Sequence, residues 1–107
     1  MKIKGLLSSI GYDSTAIYLN EPYNIYRLDR KKDTVEIFAS APQGFFNAVS
    51  RDDKGVFWIA GTRGLYTYHP DTRKFERIPT TLFNEVNTVL CDNKGKVWIG
   101  AEQKLFI

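Results

Sequence analysis

An all-β chain built from repeated four-stranded antiparallel units is what the sequence predicts, and three observations carry that prediction. First, a stretch near the middle, "DDKGVFWIAGTRGLYTY" (52–68), is answered near the end by "DNKGKVWIGAEQKLFI" (92–107). Second, the apolar residues fall in short continuous or alternating runs, and no stretch shows a helical period between caps. Third, turn residues punctuate these runs closely, as in "DDKG", "TRG" and "PDTR".

Aligning Asp52 with Asp92 gives an offset of 92 − 52 = 40 residues, which holds without a gap over 47–67. Eight of those 21 positions are identical, including Asn47/Asn87, Asp52/Asp92, Gly55/Gly95, Trp58/Trp98 and Leu65/Leu105. A fainter copy lies 40 residues upstream, with Asp13 under Asp53, Tyr18 under Trp58 and Ile25-Tyr26 under Leu65-Tyr66. Four short antiparallel strands at this period describe one propeller blade. The expected architecture is an incomplete β-propeller: two four-stranded blades, about 6–40 and 46–80, plus most of a third, about 86–107.

Each element follows from its residues. "NAVSRD" is a short, partly polar inner strand, expected over 47–52. "DDKG" is a tight turn, with Asp at its first position and Gly55 free to take the left-handed conformation that closes a bulged hairpin. "VFWIAG" is nearly continuous in apolar residues, as a strand covered on both faces should be (56–61). "TRG" makes a corner, and "LYTYH" alternates as a half-buried strand (65–69). "PDTR" turns the chain again into "KFERIP" (74–78). The same frame places strands at 7–12, 16–20, 25–29 and 34–38 before this unit and at 87–92, 96–100 and 104–107 after it.

Composition narrows the function. A net charge of +3, with Lys and Arg interspersed among acids, supplies no basic stripe for nucleic acid. No apolar run approaches the roughly 18 residues of a membrane span, so no membrane contact is expected of this segment. The N-terminal "MKIKGLLSSIGYD" is too short in apolar residues for an export signal. Cys91 is the one cysteine, which leaves neither an internal disulfide nor a metal-ligand cluster. No cofactor is expected.

The combination "D-x-K-G-x-x-W-I-[AG]", "G-L-Y-x-Y" and "P-D-T" resembles the two-component regulator propeller repeat, strongly over 47–78, well over 86–107 and faintly over 6–38. The resemblance implies the sensor region of a bacterial hybrid two-component regulator. It further implies a periplasmic or otherwise extracytoplasmic setting, no catalysis, and a small-molecule or oligosaccharide ligand. The chain departs from the pattern at Thr15 and Tyr18, which stand for the turn Gly and the Trp, and at the corner "EQK", which lacks Gly.

Two and three-quarter blades fall short of the roughly 4–8 needed for closure. Self-association, or contact with the remainder of a parent propeller, is therefore expected. Tyr18, Trp58 and Trp98 recur at one place in the repeat and are assigned to the core between blades. "DDKG" and "DNKG" are read as hairpin turns, because their Gly comes too early for a calcium loop and no Glu follows at the required place. His69 lies beside Pro70 with no nucleophile marked for it, and Cys91 reads as a small buried residue.

The candidate binding residues lie on the loops that recur at one end of every blade. "APQGFFN" and "TTLFNEVN" share that end with the corners at Tyr23, Arg63 and Gln103. Gln43, Asn47, Arg63, Asn84, Glu85 and Asn87 could hydrogen-bond a sugar, and Phe45 could stack on one. Asn47 and Asn87 are expected near the mouth of a channel. The competing functions are a protein-interaction scaffold and, with Glu85 and Glu102 as its only acids, a propeller enzyme.

Overall fold

The computed structural model describes residues 8–42, 44–80, 82 and 84–107. No helix occurs among them, and the strands form three antiparallel sheets of four, four and three. The first holds β1 (Ser8–Tyr12), β2 (Ala16–Asn20), β3 (Asn24–Asp29) and β4 (Thr34–Ser40). The second holds β5 (Phe46–Arg51), β6 (Phe57–Gly61), β7 (Gly64–His69) and β8 (Lys74–Arg77). The third holds β9 (Thr88–Cys91), β10 (Val97–Ala101) and β11 (Lys104–Phe106). Strands follow one another in sequence order across each sheet, so every connection is a hairpin, as in propeller blades.

The first hairpin of each blade is set by one carboxylate. Asp52 accepts from the amides of Lys54 and Val56, both at 2.9 Å, and from the Trp58 indole N–H at 3.0 Å. Asp92 repeats this with Lys94, Lys96 and Trp98 at 2.8, 2.9 and 2.9 Å. Gly55 and Gly95 close the two turns at φ 83° and 80°, where a side chain would be strained.

The first blade corrects the fixed 40-residue frame. Its turn joins Tyr12 to Ile17, whereas the second joins Arg51 to Phe57, one residue more. Asp13 therefore does the work of Asp52 rather than Asp53, accepting from the amides of Thr15 and Ala16 and the Thr15 hydroxyl at 2.7–2.9 Å. The shorter turn has no left-handed residue, so Thr15 replaces no required glycine. At the third corner, Glu102 and Gln103 adopt φ 53° and 62° without glycine, the geometry of a type I′ hairpin.

Two hydrophobic clusters lie between the sheets. The first joins Tyr18, Ile25 and Ala39 to Phe46, Phe57, Ile59, Tyr66 and Tyr68. The second joins Ala60 and Leu65 to Val86, Val89, Ile99 and Ala101. Strand alternation explains the division, because Phe57 and Ile59 point back to the first sheet while Trp58 and Ala60 point on to the third.

The core assigned to Tyr18, Trp58 and Trp98 is distributed differently from the expectation. Tyr18 is buried, but Trp58 and Trp98 are only half-buried. The bond from each indole to its turn aspartate holds the ring near the blade's rim. The deepest side chains are instead Phe57, Ile25, Ile59 and Val86.

Candidate functional site

The corners and the blade-to-blade links share one end of the sheets. At the first corner, Glu21 and Asn24 bond each other's backbone, and Pro22 presets the turn between them. The Glu21 side chain is 5% exposed, and its Oε1 accepts from the Tyr23 amide at 3.0 Å and the Asn24 side-chain amide at 2.9 Å. Holding that amide inward leaves the Tyr23 ring outside, 53% exposed.

Phe45 is pinned beside it. Its amide donates to Thr62 Oγ1 and its carbonyl accepts from the Thr62 amide, both at 3.0 Å. The rings of Tyr23 and Phe45 meet edge to face, 5.1 Å apart at 82°, and Phe45 is 45% exposed. Gly44 makes the approach possible. It sits at φ 64°, and a Cβ there would run into Thr62 Oγ1 and crowd Arg63 Cγ. Arg63 is exposed next to this pair, and its carbonyl accepts from Arg77 Nε at 3.1 Å.

The remaining candidates gather at the next seam. Asn47 does not face a channel mouth. Its side-chain amide crosses to the link entering the third sheet, donating to the Val86 carbonyl at 2.8 Å and to Glu85 Oε2 at 3.2 Å. The reason is local, since Val86 is fully buried and its carbonyl needs a donor. Asn84 is exposed, with its amide donating to Glu102 Oε1 at 3.1 Å. Asn87 is exposed, and its backbone amide donates to the Gly100 carbonyl at 2.8 Å. Gln43 lies outside the described residues.

The structure thus joins Phe45 and Arg63 at one seam and Asn47 and Glu85 at the other. Tyr23, named in the sequence only as a corner, belongs with Phe45. The Glu-Pro-Tyr-Asn turn was the signal that could have found it.

Elsewhere the ionisable groups are occupied by structure. Hydrogen bonds from the Thr15 hydroxyl and the amides of Thr15 and Ala16 lower the Asp13 carboxyl to about 2. The Trp98 indole and the amides of Lys96 and Lys94 hold Asp92 below the ordinary carboxylate range. At Asp52, burial pushes upward but is outweighed by the Trp58 indole and the amides of Val56 and Lys54. Burial pushes the Cys91 thiol up, so less of it is thiolate at neutral pH. Among the described residues no group of three or more His, Cys, Asp or Glu converges as a metal cluster.

No protein-family model matches the chain, and no curated protein does. Solved structures do. Two structures of the extracellular domain of BT4673 from B. thetaiotaomicron superpose with a TM-score of 0.71 at 14% identity. One is described as belonging to a one-component system and the other to a hybrid two-component system. The match covers 85% of this chain and 13% of that domain, so the chain spans about an eighth of its length. The fold is that of a propeller segment. At this identity the likeness carries the fold alone, and the site rests on the residues above.

Proposed function

We propose that the chain is a non-catalytic, ligand-binding segment of an extracytoplasmic sensor propeller of the two-component regulator type. Its corner-and-link end takes a carbohydrate-type ligand. The observation that carries this reading is the exposed Tyr23–Phe45 pair beside Arg63. An aromatic ring held at a fixed angle offers an apolar face to a sugar ring, and the guanidinium supplies fixed donors for its hydroxyls. Buried Glu21, Gly44 and Thr62 support the pair, so little ordering entropy is spent on binding. The likeness to an extracellular regulator domain agrees with the sequence resemblance and with this role.

Isothermal titration with neutral and acidic hexasaccharides tests it. Binding of at least one saccharide is expected, weakened about tenfold, or ~1.4 kcal/mol, by Phe45→Ala or Tyr23→Ala. Glu36→Gln, on the outer strand β4, should leave it unchanged. No saccharide bound by the native chain, or an unaltered affinity in Phe45→Ala, would overturn the assignment.

A further inference from the structure

Neighbouring sheets meet through two unlike faces. The forward face carries Tyr18 and Ile25 in the first sheet and Trp58, Ala60 and Leu65 in the second. The backward face carries Phe57, Ile59, Tyr66 and Tyr68 in the second sheet and Val89, Val97 and Ile99 in the third. At both seams a forward face is covered by a backward one.

One face of each kind has no sheet against it among the described residues. On the first sheet the backward face runs in two rows set by register, Tyr12–Ile17–Leu28–Val35 and Leu19–Tyr26–Ile37. On the third sheet the forward face runs Leu90–Trp98 and Thr88–Gly100–Leu105. No charged side chain stands in any of these rows. The counterparts of these positions inside the molecule are sealed. Phe57 and Ile59 are 0% exposed, whereas Ile17 and Leu19 at the same repeat positions are half-exposed. Ile37, Leu90 and Leu105 are 54%, 61% and 66% exposed. Large apolar side chains on a bare sheet face mark an interaction surface.

We propose that the occupant of both faces is a second copy of this chain, joined head to tail. The forward face of one copy's third sheet packs on the backward face of the other's first sheet, and reciprocally. The junction continues the two seams already built into the molecule, with an uncharged face on each side. The count of sheets selects the stoichiometry. Two copies bring six sheets, inside the range of about 4–8 that closes a propeller, while one copy falls short and three overshoot. Closure with both ends satisfied gives a two-fold dimer rather than an open filament.

Light scattering behind a sizing column, on the 107-residue chain at tens of micromolar, should give a mass of two chains. Ile37→Glu and Leu105→Glu each change a residue exposed in the single chain, and each should weaken the dimer at least tenfold. Mixing the two variants should restore a two-chain species, because each retains the face that the other lacks. Trp98 emission should shift to the blue as concentration rises. A monomeric native chain, a trimer or larger polymer, or no recovery on mixing would overturn the proposal. So would loss of the dimer in one variant alone, which means like faces pair. If either variant loses its strand signal in circular dichroism, Tyr12→Lys or Leu90→Lys tests the same face and is judged in the same way.

Discussion

The two seams share one backbone plan and differ in the chemistry that fills it. The first is aromatic. Tyr18, Phe38, Phe57 and Tyr68 form a chain of ring contacts 5.1–6.5 Å apart, extended by Phe75 at 4.7 Å from Tyr68. Arg51 lies over Tyr18 and Phe57 at 5.1 and 5.8 Å and pairs with Asp13 at 3.4 Å. The second seam is aliphatic, built on Leu65, Val86, Val89 and Ile99, and is stitched by side-chain hydrogen bonds. The Cys91 amide donates to Ser50 Oγ at 2.9 Å, and Asn47 reaches Val86. Equivalent positions hold Phe46 and Val86, Phe57 and Val97, Arg51 and Cys91. The Asp-Gly turns and strand register therefore fix the blade, and the seam residues need only be apolar and suitably sized.

This difference predicts unequal sensitivity to truncation at matched positions. Phe57→Ala removes a fully buried ring that touches both sheets and should cost about 3–5 kcal/mol. Val97→Ala, at the same repeat position but half-buried, should cost about 1 kcal/mol. Urea unfolding at one protein concentration measures both. Equal costs would mean that the aromatic seam is no better packed than the aliphatic one.

A smaller effect separates the blades by acid. Asp13, Asp52 and Asp92 are all held below the ordinary carboxylate value in the folded chain. Protonation therefore favours the unfolded state. Their stabilisation is present above the unfolded value near pH 4 and is lost as pH falls, for Asp13 down through about 2. The urea midpoint should drop between pH 6 and pH 3. Asp13→Asn should lower the midpoint at pH 6 by about 1 kcal/mol, discounted for its exposed setting, and flatten the fall. A pH response as steep as that of the native chain would show that this carboxylate does not carry the effect.

Much of the fold was legible because strand alternation and turn chemistry are local. "DDKG" and "DNKG" announce their hairpins, and the expected strands match the observed ones to within about two residues. The first blade blurred because its turn is one residue shorter, and a fixed offset cannot register a deletion. The site was less legible for a different reason. Whether Asn47 faces a ligand or a neighbouring link depends on the Val86 carbonyl, 39 residues away in sequence. The exposure of Tyr23 depends on a buried Glu21 that reads in the sequence as an ordinary loop acid. The tryptophans misled because an apolar strand context hides the tether to an aspartate six residues earlier.

The smallest expected effect concerns Arg51, the residue that most distinguishes the first seam. Its guanidinium gains from two ring faces and from Asp13, contributions of about 0.5–1 kcal/mol each at partly exposed sites. Against them stands its Nε, which is buried without a hydrogen-bond partner, and a desolvated donor costs about 1–3 kcal/mol. The two sides nearly cancel. Arg51→Met keeps an unbranched stem over the rings and removes the unpaired donor, so its unfolding free energy should stay within about 1 kcal/mol of native. Arg51→Ala should lose more, because the stem itself covers the faces of Tyr18 and Phe57. If Met and Ala were equally destabilising by more than 2 kcal/mol, on the scale of a buried charge pair, the charge rather than the packing would hold this seam together. The aromatic and aliphatic seams would then differ in kind and not only in shape.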